Sequence, residues 1–309
     1  MTTYLCTGDV FCSAHEPPDE RADHPERPDR VRAIIARLEA TGLPARCEFL
    51  PPRPAEGPEL DRVHSRAYQN ALAARSFGGI DEDTYVSPGS LRVALFAAGS
   101  ATELALRVYE SAAGNGFAVI RPPGHHASKD RAGGFCLFNN VAVAAATLSK
   151  VKGARVAIVD FDAHHGNGTQ DIFYSDPSVL FVSLHQHPFW PFSGREQERG
   201  EGAGLGLTLN VPIPARTDSQ GYLERWRSVV LPALHDYRPD VILVSAGFDA
   251  HRLDPEANLN LESADYGTLV RDLLRVQPRV AALLEGGYHR EATAESAEHL
   301  LRALLDPNG

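Results

Sequence analysis

Residues able to hold a metal and to move protons are gathered in four short stretches of this chain. The densest is Asp160-Phe-Asp-Ala-His-His-Gly-Asn-Gly168. It follows directly on Val156 to Val159, an apolar and mostly β-branched run that reads as a strand buried on both faces. On a strand, positions i, i+2 and i+4 share a face, so Asp160, Asp162 and His164 are expected to point the same way at its end. Two carboxylates and an imidazole buried together are costly unless a cation or hydrogen bonds compensate them. They make a donor set for a divalent metal, and Gly166 and Gly168 permit a sharp exit. The second stretch is Arg121-Pro-Pro-Gly-His-His126, in which His125 and His126 follow a stiff turn and suit acid/base work. It leads to Gly133-Gly-Phe-Cys136, where Gly133 and Gly134 allow close backbone approach and Phe135 can wall a slot. The third is Ser245-Ala-Gly-Phe-Asp249, and the fourth is Glu285-Gly-Gly-Tyr288.

Asp162, His164 and Asp249 supply three ligands and leave a position open for water and substrate, which marks a catalytic rather than a structural site. Zinc suits nitrogen and oxygen ligands, and iron(II) or cobalt(II) would also fit. Such a metal polarises a carbonyl and lowers the pKa of water. One of His125 and His126 can take the water proton and return it to the leaving group, with Asp160 and Asn167 available to orient them. Tyr288, on its Gly-Gly turn, can donate to a developing oxyanion. The set describes metal-assisted hydrolysis of an amide or ester.

The elements that must position these stretches alternate between strand and helix. Strand patterns occur at Tyr4 to Val10, Phe117 to Ile120, Val156 to Val159, Val179 to Leu184, Leu207 to Val211, Val241 to Val244 and Val280 to Leu284. Helical spacing occurs after Pro28 through Val31, Ile34, Ile35 and Leu38, and again over Leu60 to Ala74, Leu91 to Ala112, Asn139 to Leu148, Tyr222 to Tyr237 and Tyr266 to Val276. This alternation predicts a parallel α/β sheet covered on both faces, with ligands beyond the carboxyl ends of the strands, where all four stretches fall. Residues 12 to 30 and 51 to 58 read as loops, and Gly78 to Pro88 as a loop with the acidic tip Asp81-Glu82-Asp83. His64 reads as a structural histidine. The alternating glycines from Gly200 to Gly206 lack the spacing and setting of a nucleotide site.

Length and charge narrow the function. The chain has 309 residues and a formal net charge of −10, and without a basic run it is not expected to bind nucleic acid. The charge suits a cationic substrate. Cys6, Cys12, Cys47 and Cys136 show no close pairing, which points to a reducing cytoplasm. Neither a signal peptide nor a membrane span is expected.

From His24 to Tyr288 the chain resembles the histone deacetylase/acetylpolyamine amidohydrolase family, nearest to its class II members. The motifs that carry the resemblance are Arg121-Pro-Pro-Gly-His-His-Ala127, Gly134-Phe-Cys-Leu-Phe-Asn-Asn140, Val159-Asp-Phe-Asp-Ala-His-His-Gly-Asn-Gly168, Ser245-Ala-Gly-Phe-Asp249 and Glu285-Gly-Gly-Tyr288. The resemblance implies one arginase/deacetylase-like domain over residues 1–309, with a parallel eight-stranded sheet between helices. It also implies zinc on Asp162, His164 and Asp249, and a structural potassium at Asp160, Asp162, His164, Ser183 and Leu184. Asp160 would stand behind His125 and Asn167 behind His126, with His126 the main acid/base and His125 an electrostatic helper. Phe135 and Trp190 would flank the acetyl-amine tunnel with Gly134, although Phe or Tyr is usual in place of Trp190. Arg27 would lie near an acetate exit.

Implied substrates are acetyl-lysine in proteins or peptides and N-acetylpolyamines; a homo-oligomer is left open. Glu256 matches the glutamate of the polyamine-selective members, and Asp83 would extend an acidic rim. Pro17-Pro18-Asp19-Glu20, however, departs from the constricting loop of those members. Three rivals stand beside this reading. A binuclear manganese ureohydrolase would need bridging carboxylates that residues 165 to 170 do not supply. A non-catalytic acetyl-lysine binder would have no use for Tyr288. A hydrolase of another acyl amide or ester would use the same groups.

Overall fold

Eight short apolar segments pair in parallel into one sheet. The computed structural model describes residues 1–18 and 23–309, so Asp19 and Glu20 of the Pro17-Pro18-Asp19-Glu20 loop lie outside the described residues. In chain order the elements are β1 (Thr2–Cys6), α1 (Asp29–Ala40), β2 (Glu48–Leu50), α2 (Gly57–Leu60), α3 (Arg66–Ala73), β3 (Gly78–Gly79), β4 (Tyr85–Val86), α4 (Ser90–Glu110) and β5 (Gly114–Ala118). They continue with α5 (Asn140–Lys152), β6 (Val156–Asp160), α6 (Asn167–Phe173), β7 (Val179–Gln186), β8 (Thr208–Ile213), α7 (Ser219–Arg225), α8 (Leu231–Tyr237), β9 (Val241–Ala246), α9 (Ser263–Val276), β10 (Val280–Leu284) and α10 (Arg290–Leu305).

The sheet order is β2-β1-β5-β10-β9-β6-β7-β8. Every residue of β5, β6, β7, β9 and β10 is buried, as expected of parallel strands covered on both faces. Helices α4 and α5 pack on each other and reach β5, β6, β9 and β10, while α1, α10, α9 and α8 touch in succession. Alanines of α4 such as Ala97, Ala98 and Ala101 are fully buried, so this long helix lies close on the strands. No helix among the described residues is long and apolar enough to cross a membrane. All four cysteines are free.

Several boundaries differ from the sequence expectation. The helix expected over Leu60 to Ala74 is broken, because the Ser65 hydroxyl accepts from the Tyr68 N–H at 3.2 Å and caps α3 afresh. The Tyr222 to Tyr237 helix contains a π-helical segment, Trp226–Val230, between α7 and α8. Gly78 to Pro88 closes as a small hairpin, with Gly79 opposite Tyr85. β2 and α10 carried no recognised signal; β2 is three residues long and its Phe49 is exposed.

Candidate active site

β5, β10, β9 and β6 are consecutive across the middle of the sheet. The loops leaving their carboxyl ends therefore meet, although they are far apart in the chain. They bring residues 121–126, 285–288, 247–249 and 161–167 to one place.

β6 stops at Asp160, so the expected alternation does not run on to His164. Beyond it the backbone turns, with Asp160 Oδ1 accepting from the Asp162 N–H at 3.1 Å and Asp162 Oδ1 from the His164 N–H at 2.9 Å. Asp160 consequently faces His125, while Asp162 and His164 face Asp249. His164 Nδ1 lies 3.2 Å from Asp162 Oδ1 and 3.0 Å from Asp249 Oδ2. One donor atom from each of the three falls within 4.8 Å of the others. The outer oxygens are also engaged: Asp162 Oδ2 accepts from Gly286 N at 2.8 Å, and Asp249 Oδ1 from Ala163 N at 2.7 Å.

Glycines make this approach feasible. A Cβ on Gly286 would sit 2.4 Å from Asp249 Oδ2 and 2.6 Å from Asp162 Oδ2, and one on Gly247 would sit 2.0 Å from Asp162 Oδ2. Burial and the adjacent Asp162 push the Asp249 carboxyl up to about 7. Burial opposes a charge on His164 too, but the two carboxylates outweigh it and hold its pKa well above 6.5. Such a concentration of buried negative charge is what a cation relieves.

The two histidines have different partners. His125 Nδ1 is 2.9 Å from Asp160 Oδ2. Burial alone would lower its pKa, yet Asp160 and Asp162 raise it to about 10, so the ring holds a positive charge. His126 Nδ1 is 2.7 Å from Asn167 Oδ1. An amide oxygen only accepts, so Nδ1 carries the proton and Nε2 keeps its lone pair. Burial, with His125 and His164 nearby, drives His126 well below 6.5. Glu285 steadies the pair from below, accepting from Gly124 N at 2.6 Å and His125 N at 3.2 Å. The sequence showed Glu285 only as part of a motif, since a lone glutamate at a strand end does not announce its partners.

Tyr288 leans edge-on to Phe135, with ring centroids 5.7 Å apart, and the Arg30 guanidinium lies 4.7 Å over its ring. Arg30 is buried and donates to Gly287 O at 2.6 Å and to Glu285 O at 2.5 Å. Arg27, expected near an acetate exit, has a side chain that is 40% exposed and pairs with Asp29 at 3.4 Å. Arg27 precedes α1, whereas Arg30 falls on the turn of α1 that faces inward. Glu26 bridges Arg30 to Arg121, accepting from Arg121 Nε at 2.8 Å.

A cavity of about 160 Å³ opens above these groups, lined by Asp83, His126, Gly134, Phe135, His164, Phe189, Trp190, Glu256 and Tyr288. Gly134, Phe135, Trp190, Glu256 and Asp83 thus line one cavity together with Phe189. A Cβ on Gly134 would come within 2.5 Å of both His126 Cδ2 and Trp190 Cη2, so the indole reaches down to the histidine. Ser183 is aligned with Asp160 in the β6–β7 register, with Leu184 next to it.

A sequence profile of the histone deacetylase domain matches residues 24–304. The chain belongs to the histone deacetylase family. Histone deacetylase 5 of Arabidopsis thaliana is 39% identical, over 98% of this chain and 49% of its own length. A probable deacetylase of Archaeoglobus fulgidus is 38% identical, over 93% of this chain and 82% of its own. The crystal structure of the HDA15 HD domain superposes with a TM-score of 0.94 at 37% identity, covering 98% of this chain and 88% of that one. This histone deacetylase family chain spans about half the length of the plant relative it matches.

Proposed function

We propose that the protein hydrolyses the amide bond of an acetylated primary amine, giving acetate and the free amine. The observation that carries this reading is the small cavity lined by Tyr288, by His126 with its free Nε2, and by His164, which converges with Asp162 and Asp249 on one donor set. The donor set fits a divalent cation, with two carboxylates and a nitrogen converging in a cradle that only glycine backbones allow. Zinc is the metal we assign, with iron(II) or cobalt(II) as substitutes. When bound, it supplies Lewis acidity to the acetyl carbonyl and to water.

The chain's own groups do the rest. His126 Nε2 takes a proton from the attacking water as the new C–O bond forms, and Asn167 holds the ring in that tautomer. The Tyr288 hydroxyl donates to the oxygen that gains charge. When the C–N bond breaks, His126 passes its proton to the departing amine. His125, kept cationic by Asp160, adds positive charge without taking part in the transfer. A structural potassium at Asp160, Asp162, His164, Ser183 and Leu184 belongs to the same reading.

Acetyl-lysine and N-acetylpolyamines are the two substrate types proposed. Glu256 and Asp83 at the mouth favour an amine that carries a second, distal positive charge. Acetate release from N-acetylputrescine, N8-acetylspermidine and an acetyl-lysine peptide, before and after metal chelation, is the test. Metal-reversible release from at least one is expected. No release from any of them by zinc-loaded protein would refute the reading.

A further inference from the structure

Asp254 has no part in the chemistry above, yet it is only 7% exposed. Its Oδ2 accepts from the backbone N–H groups of Tyr288 at 2.6 Å and His289 at 3.1 Å, and its Oδ1 accepts from the N–H of Glu256 at 3.0 Å. One buried carboxylate therefore grips two walls of the cavity, the turn of Tyr288 and the rim loop of Glu256. That loop is anchored in turn. Asp254 N donates to His251 O at 2.8 Å. The His251 ring accepts from Leu253 N at 3.2 Å and lies 3.2 Å from the Ser263 hydroxyl at the start of α9. Ser263 then donates to Glu295 of α10 at 3.2 Å.

The turn itself needs holding. Gly287 has φ +114 and follows Gly286, so two residues without side chains precede Tyr288. Arg30 fixes the carbonyls of Glu285 and Gly287, and Asp254 fixes the N–H groups on the far side of the glycines. Without Asp254, the glycine pair keeps its bonds to Arg30 and Asp162, but the Tyr288 and His289 N–H groups beyond it lose their acceptor.

We propose that Asp254 is a positioning residue that couples the rim to the floor: it ties Glu256 and Tyr288 into one unit, so that capture of a cationic tail and placement of the Tyr288 hydroxyl occur together. This rests on the deacetylation reading above. The test uses N-acetylputrescine and the neutral-tailed N-acetylbutylamine with Asp254→Ala and Asp254→Asn. A misplacement of about 1 Å costs on the order of 100-fold, so Asp254→Ala is expected to lower kcat by about that factor on both substrates, while KM for the neutral one changes by less than about threefold. In a Tyr288→Phe background the same substitution should cost no more than about threefold, because the groups act as a unit. Asparagine offers one acceptor oxygen. With that oxygen on Tyr288 and His289, Asp254→Asn should keep most of kcat and lose the preference for the charged tail. An undiminished kcat in Asp254→Ala, or a full additional loss beside Tyr288→Phe, overturns the proposal.

Amide hydrogen exchange supplies a readout that needs no turnover. Exchange at residues 286–290 and 254–257 should quicken in Asp254→Ala and stay unchanged in β10; unchanged exchange in both segments also overturns it. If the wild type cleaves neither amide, the exchange data alone decide the role of Asp254, and the deacetylation reading falls only if the acetyl-lysine peptide and N8-acetylspermidine are not cleaved either. Should Asp254→Ala fail to fold, Asp254→Asn carries both measurements.

Discussion

The floor of the cavity and its mouth are built differently. At the floor, the carboxylates of Asp162, Asp249 and Glu285 each accept a backbone N–H from a neighbouring loop, and Asp160 accepts one from the turn that follows it. Strand ends carry them, and Gly247 and Gly286 let the neighbouring backbone close on them. At the mouth, Trp190 is 38% exposed, Phe192 beside it 70%, and Asp83 sits on a short hairpin loop. The floor thus has one arrangement, while the side chains of the mouth can be exchanged without disturbing it as long as the Asp254 tie beneath Glu256 is kept. Substitutions at the floor should act on every substrate alike, and those at the mouth should discriminate among them.

The largest effect that tests this contrast is expected from Asp249→Ala. Removing one of three ligands should abolish most metal binding, read by elemental analysis, and lower turnover by at least ~1,000-fold for all substrates. Wild-type metal content together with wild-type activity would break the assignment of the floor. Tyr288→Phe should retain metal and lose about 100- to 1,000-fold in kcat, again regardless of substrate. A variant that turns over acetyl-lysine peptide at the parent rate would remove Tyr288 from the chemistry.

Smaller and selective effects are expected at the mouth. Trp190→Ala frees space beside His126 and Gly134 and should raise the ratio of butyryl- to acetyl-amide kcat/KM by about tenfold, the scale of a methylene-sized pocket change. An unaltered ratio would show that the indole does not limit the acyl group. Glu256→Leu should lower kcat/KM for N8-acetylspermidine by about tenfold relative to the neutral N-acetylbutylamine; equal loss on both would make Glu256 a plain wall.

The smallest effect depends on pH. Burial, with Asp81 close by, pushes the Asp83 carboxyl from 3.8 up to about 6. A raised carboxyl favours the neutral form in the fold, so its stabilising contribution, full below 3.8, is lost as pH rises through about 6. Its charge appears over the same interval. KM for N-acetylputrescine, divided by KM for N-acetylbutylamine, should therefore fall by about threefold between pH 5.5 and 7, and Asp83→Asn should flatten that change.

The floor was legible because each of its parts is a short contiguous motif at the end of an apolar run. Asp162, His164, Asp249, His125, His126 and Tyr288 could be picked out by residue type at the ends of apolar runs, although the turn after Asp160, which sets Asp162 and His164 apart from it, could not. What was not legible depends on helix phase and tertiary hydrogen bonds. Arg27 and Arg30 are equivalent in composition, and only the inward turn of α1 distinguishes them. Asp254 looks like an ordinary loop aspartate next to a proline, since its three donors are backbone groups on two separate segments. The break between α2 and α3 hung on the single hydroxyl of Ser65, within a stretch whose apolar spacing suited an unbroken helix.

The strand order has a consequence for how the chain is made. β10 is the last strand in the sequence, yet it lies between β5 and β9, pairing with both. Without β10, the strand order divides into two slabs that share no pairing, β2-β1-β5 and β9-β6-β7-β8, each left with an unpaired apolar edge strand. Such edges invite pairing with the wrong chain. A nascent chain stopped before β10 is therefore an aggregation hazard and cannot be a weakened enzyme, because the segment that fuses the slabs also delivers Tyr288.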